Sequence, residues 1–125
     1  MDNYRILLVD DEKTIIAMQT KRLERLGYQV IAQNSSREAL DVFRMHPDNY
    51  DIVISDMNMP HMTGDILTRK MLEIRPDIPI ILCTGFSERM NEEDALSIGA
   101  RAMMIKPVLF NELSDTIRKV LEVTN

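Results

Sequence analysis

Five short aliphatic runs, separated by stretches with helical spacing of apolar residues, restrict this chain more than any other feature. The runs are RILLV (5–9), YQVIAQ (28–33), DIVIS (51–55), PIILC (79–83) and RAMMI (101–105). Their length suits strands, and several lack the polar alternation of a half-exposed strand, as expected for strands buried on both faces. Residues 12–26 place Ile15, Ile16, Leu23 and Leu26 on one arc, on which Gln19 intrudes, and Gly27 ends the pattern. Ser35 and Glu38 form a capping-box pattern ahead of Ala39, Leu40 and Phe43, with Pro47 beyond the end. Further helices are expected over 64–74, near 91–98 before Gly99, and over 110–123, where Phe110, Leu113, Ile117, Val120 and Leu121 repeat at helical spacing. Strands alternating with helices imply right-handed crossovers and a parallel α/β sheet covered on both faces.

Composition narrows the setting. At 125 residues, with no linker, repeat or low-complexity tract, the chain reads as one domain over 1–125. A formal net charge of −5, with no basic run, argues against direct binding to nucleic acid or to an anionic membrane. No apolar run approaches the length of a membrane span, and MDNYR does not open a signal peptide. The single cysteine, Cys83, excludes an internal disulfide and fits a reducing, cytoplasmic compartment; its apolar neighbours make it a core thiol.

In a doubly wound sheet, functional groups gather beyond the carboxyl ends of the strands, where strand order reverses. Asp10, Asp11 and Glu12 follow the first run, Asp56 the third, Thr84 and Gly85 the fourth, Lys106 and Pro107 the fifth. The second ends in ordinary turn chemistry, Asn34-Ser35-Ser36. If the first and third strands are neighbours, three aspartates converge, and their mutual repulsion calls for a proton, a cation or both. An all-oxygen acidic site suits Mg2+, whereas His46 and His61 are too isolated to suggest zinc. A hydroxyl and an ammonium on flanking strands complete a set suited to holding a phosphoryl group while an aspartate attacks it. Each residue alone has a plainer reading in cap, turn or solvated-loop chemistry; their joint placement carries the inference.

At these positions the sequence resembles a response-regulator receiver domain of two-component signalling, through ILLVDDE, DIVISDMNMPHMTG, IILCTG and GARAMMIKP in family order and spacing. The resemblance covers essentially the whole chain. It implies a flavodoxin-like (βα)5 fold with strand order 2-1-3-4-5. It also implies that Asp56 is the phosphoacceptor, and that Asp11, Asp56 and the backbone carbonyl of Asn58 ligate Mg2+ (or Mn2+), with Asp10 acting through water. Thr84 and Lys106 would bind phosphoryl oxygens, the Lys106–Pro107 bond would be cis, and Gly64 would stand where a bulky residue fits poorly. Such a domain catalyses only its own phosphorylation and dephosphorylation. Its phosphoryl donor would be a histidine kinase or a histidine phosphotransfer protein, and its output would pass through the face made by the fourth helix, fifth strand and fifth helix.

Where many receivers carry Tyr or Phe three residues before the lysine, this chain has Met103. A flexible thioether beside Thr84 implies a graded switch or one relying on helix shifts, unless Met103 is ordinary packing. Phe86, two residues after Thr84, is expected to slow hydrolysis of the phosphorylated state. An Mg2+-dependent phosphatase would want a D-x-D on the first strand, and a flavin-binding relative a neutral phosphate loop there. Neither matches Asp10-Asp11-Glu12. A docking module independent of phosphorylation would be expected to lack an acidic residue, the threonine or the lysine, and none is missing. No residues remain for an output domain, so the chain is expected to be a stand-alone receiver or one cut from a larger regulator such as a hybrid histidine kinase.

Overall fold

The computed structural model describes residues 4–85 and 90–124. Its elements run β1 (Arg5–Val9), α1 (Lys13–Arg25), β2 (Gln29–Gln33), α2 (Ser36–Met45), a single 3-10 turn (Pro47–Asn49), β3 (Ile52–Asp56), α3 (Gly64–Ile74), β4 (Ile80–Thr84), α4 (Glu92–Ser97), β5 (Ala102–Ile105) and α5 (Phe110–Thr124). All strand pairings are parallel and the order is β2-β1-β3-β4-β5, the flavodoxin-like (βα)5 arrangement the sequence implied.

The pleat explains how runs without polar alternation are used. Along β1, Ile6 and Leu8 join one core with Leu23 of α1 and Leu113 and Ile117 of α5. Leu7 and Val9 point the other way, into a second core with Ala39, Leu40 and Phe43 of α2 and Leu67 and Met71 of α3. Every residue of β3 and β4 is buried, whereas the edge strand β2 is half-exposed. A third, smaller core sets Leu82 against Ala95 and Ala100, with Met103 partly buried beside it.

Two strands extend one residue beyond the sequence reading, and both extra residues matter. Asp56 pairs with Cys83 and Thr84 with Ile105, so each is the last paired residue of its strand. The Met57 N–H donates to the Cys83 carbonyl at 2.9 Å, which prolongs the ladder past Asp56. At α2 the Ser35 hydroxyl accepts from the Glu38 N–H at 3.3 Å, the expected half of a capping box. The complete reciprocal box belongs to α4. There Asn91 Oδ1 accepts from the Asp94 N–H at 2.8 Å and Asp94 accepts from the Asn91 N–H at 3.3 Å.

Candidate functional site

The order reverses between β1 and β3, and the carboxyl ends of these two strands hold the acidic residues. Asp10 and Asp56 are each only 5 % exposed, while Asp11 is half-buried. One carboxylate oxygen from each of the three lies within 4.8 Å of the others, a group that could hold a metal ion. Asp10 is aimed by the backbone that follows it, its Oδ1 accepting the Glu12 N–H at 3.0 Å.

Lys106 enters this cluster from the end of β5. Its Nζ lies 3.0 Å from Asp56 Oδ1 and 3.1 Å from Asp10 Oδ2, so one ammonium is shared by two carboxylates from different strands. Burial alone would push the lysine's pKa down. The hydrogen bond and charge of Asp56, then those of Asp10, outweigh it and hold the group above its ordinary value. Three carboxylates against one ammonium leave an acidic excess. The all-oxygen donor set is the kind that hard divalent cations prefer.

The neighbouring positions are fixed by the backbone. Thr84, 1 % exposed, ends β4, and its carbonyl accepts the Lys106 N–H at 2.7 Å. The Lys106–Pro107 peptide is cis, as the resemblance implied. The loop after Asp56 is closed by the Gly64 N–H donating to the Met57 carbonyl at 2.8 Å. A Cβ on Gly64 would collide with the Asp56 carbonyl and lie 2.9 Å from Met57 Cα, so only glycine allows this closure. Asn58 sits exposed in that loop, two residues past Asp56. Cys83 is a buried free thiol; burial pushes its pKa up to about 12, with the Lys106 charge opposing and the Asp56 charge adding.

Asp10, Asp11, Asp56 and Lys106 are thus brought together, and Thr84 stands at the end of the strand beside β3. Met103 is different: it pairs with Leu82 and packs toward Ala95 and Ala100, on the α4 side of β5. Phe86 lies outside the described residues. Two contributors were not singled out from sequence. The Ser55 hydroxyl donates to the Asp56 carbonyl at 2.9 Å, and the backbone of Glu12 holds Asp10. Neither leaves a signal in residue spacing. The third surprise is a cavity of about 460 Å3 between α1 and the segment entering α5, which reaches Asp56 and Lys106.

An acidic cluster with a half-buried lysine thus lies at the switch point of a (βα)5 sheet. Comparison with known proteins gives the family. The model of the response regulator receiver domain matches residues 6–118, and the chain belongs to this family. It is similar to the transcriptional regulatory protein ZraR of Escherichia coli (strain K12), 33 % identical over 124 residues, which are 99 % of this chain and 28 % of ZraR. It is also similar to the two-component response regulator ARR11 of Arabidopsis thaliana, 36 % identical over 118 residues, 94 % of this chain and 22 % of that protein. Among solved structures, a response regulator receiver domain protein from Clostridium thermocellum superposes with a TM-score of 0.91 at 33 % identity, covering 96 % of this chain and 95 % of that one. The chain thus spans about a quarter of those two curated relatives and nearly all of this solved one. No helix among the described residues is long and apolar enough to cross a membrane.

Proposed function

We propose that the chain is a phosphoacceptor receiver, phosphorylated on Asp56 by a histidine kinase or a histidine phosphotransfer protein. The observation that carries this reading is the position of Asp56: buried, at a strand end, 3.0 Å from Lys106 and clustered with Asp10 and Asp11. An Asp56 oxygen forms the new P–O bond as the P–N bond of a phosphohistidine breaks. Asp11, Asp56 and the Asn58 carbonyl would hold Mg2+ or Mn2+, and Asp10 would contribute through water. When bound, the ion offsets the charge that two approaching anions create. Lys106 turns from its shared carboxylates to an equatorial phosphoryl oxygen, and the Thr84 hydroxyl donates to another.

The same arrangement supports a switch. A phosphoryl group on Asp56 gives Thr84 a charge-assisted acceptor, and its inward shift is felt by β5 and α4. Met103, at the junction of these elements, fills the vacated space without the sharp swing of an aromatic ring. Output passes to a downstream protein through the surface of α4, β5 and α5. A groove of about 320 Å3 bounded by Glu92, Arg101, Met103, Thr116 and Lys119 lies there, and Leu96 is exposed on α4.

The test is incubation with acetyl phosphate and Mg2+, followed by intact mass. One added phosphoryl mass is expected, absent in Asp56→Ala and without divalent cation. Labelling that survives Asp56→Ala would overturn the assignment.

A further inference from the structure

Lys106 stands just beyond β5, where the regular backbone stops. Its N–H donates to the Thr84 carbonyl at 2.7 Å, and regular bonding resumes where the Leu113 N–H donates to the Leu109 carbonyl in the first turn of α5. Between these points Pro107 has no N–H to give. Among the described residues no main-chain donor reaches the Val108 carbonyl.

A side chain from another element does. Arg22 of α1 donates from Nη1 to the Val108 carbonyl at 3.1 Å. Among the described residues no carboxylate pairs with this guanidinium, so its charge-assisted bond goes to a neutral carbonyl. The tie matters because the walls it joins do not fill the space between them. The cavity of about 460 Å3 lies there, and Asp56 and Lys106 are part of its lining. Packing across a gap cannot fix the spacing of its walls, whereas a directional bond can.

The two walls carry opposite charges of the site. Helix α1 begins directly after Asp10, Asp11 and Glu12, and Lys106 heads the segment entering α5. Its Nζ meets Asp56 and Asp10 at 3.0 and 3.1 Å from the end of a flexible stem, so its placement depends on where its backbone stands.

We propose that Arg22 is a positioning residue for phosphoryl transfer: by holding the Val108 carbonyl it sets the distance between the acidic cluster and the ammonium of Lys106. The inference rests on the receiver reading above and extends it to a residue outside the cluster. Arg22 does not touch the phosphoryl group. Its effect passes through Lys106, and misplacing a reacting group by about 1 Å can lower a rate by about 100-fold.

The test is a double-mutant cycle on the initial rate of labelling by acetyl phosphate at saturating Mg2+, read by intact mass. Arg22→Met, which keeps an aliphatic stem beside the cavity, is expected to slow labelling roughly tenfold. Lys106→Met should slow it further. The double variant should be no slower than Lys106→Met alone, because no ammonium remains to be placed. Arg25 is exposed one turn along α1, and Arg25→Met, which removes the same charge without the bond, should label at the parental rate. In the free protein, amide hydrogen exchange at Lys106 should quicken in Arg22→Met but not in Arg25→Met. Arg22→Lys, which keeps the charge without the planar fork, takes the place of Arg22→Met in the cycle if that variant does not fold. A parental rate in the Arg22 variant, losses that add in the double variant, an equal loss in Arg25→Met or unchanged exchange at Lys106 would each overturn the proposal and leave the receiver reading standing. A parent chain that takes no label would overturn both.

Discussion

The two faces of the sheet are covered differently. On one, α2 and α3 pack against Leu7, Val9 and Val53, with Phe43 and Tyr50 stacked at a ring separation of 5.9 Å. On the other, α1 and α5 cover Ile6, Leu8 and Ile54 but leave the cavity between them. Both faces come from the same strands, one residue out of phase, so the difference lies in the helices. Helix α2 buries Ala39, Leu40 and Phe43, whereas the only fully buried residue of α1 is Leu23. The lesson is that one face acts as the scaffold, and the other keeps room beside the residues that handle charge.

The contrast makes measurable claims. Leu67 and Leu113 are equally buried, one on each face. Leu67→Ala should cost about 3–5 kcal/mol in urea unfolding and Leu113→Ala only about 2, since part of the latter's surroundings is already empty. Equal losses would erase the distinction. Adding volume should reverse the asymmetry. Ala39→Leu, in the filled face, should cost about 1–3 kcal/mol, while Ile15→Phe, into the cavity, should stay within about 0.5 kcal/mol of the parent.

A smaller effect is expected in the loop leading to α3. His61 holds φ at 69°, in the left-handed region that side chains adopt at a cost. His61→Gly should therefore raise stability by roughly 0.5 kcal/mol, a few tenths being returned to the unfolded chain's entropy. A loss would mean that the imidazole makes a contact worth more than the strain.

The last difference vanishes at neutral pH. Cys83, on the cavity face, keeps its proton to about 12 when folded, against an ordinary value of 9.0. Between these values the folded state retains a proton that the unfolded state has lost, so stability falls as pH rises through that window. Lys106, also held above its ordinary value, adds a decline in the same direction at still higher pH. Urea unfolding at pH 8 and pH 10.5 should show a shallower decline for Cys83→Ala than for the parent; identical slopes would remove the thiol from the account.

Much of this architecture is legible in the residues. Apolar runs over 5–9, 51–55 and 79–83 marked the central strands because strands covered on both faces tolerate few polar positions. Asp10, Asp11, Asp56 and Lys106 were legible because each follows its strand, and a parallel sheet places all such ends on one edge. What spacing could not show was how the carboxylates are aimed, since that depends on the Glu12 N–H and on a ladder that continues one residue past Asp56. The complete capping box at Asn91 and Asp94 was hidden because neither is the Ser or Glu of the usual pattern. The cavity was illegible for a different reason. Helical periodicity tells which residues face inward, but not whether they reach each other. Gln19, an interruption in that periodicity, was its one trace.

The far edge of the sheet has a mechanical consequence for the acceptor. Arg75, just past α3, donates from Nη1 to the carbonyls of Tyr50 at 2.6 Å and Pro47 at 2.9 Å, while Arg5 and Asp51 exchange two bonds at 2.7 and 2.9 Å. Strand β3 is therefore anchored at its root, about 17 Å from the carboxylate at its tip. A post clamped at its base does not slide when its tip is loaded. Any force that a new charge exerts at Asp56 must be taken up sideways, by β4, β5 and the loops above them, and so the anchoring directs the motion as much as the site that starts it.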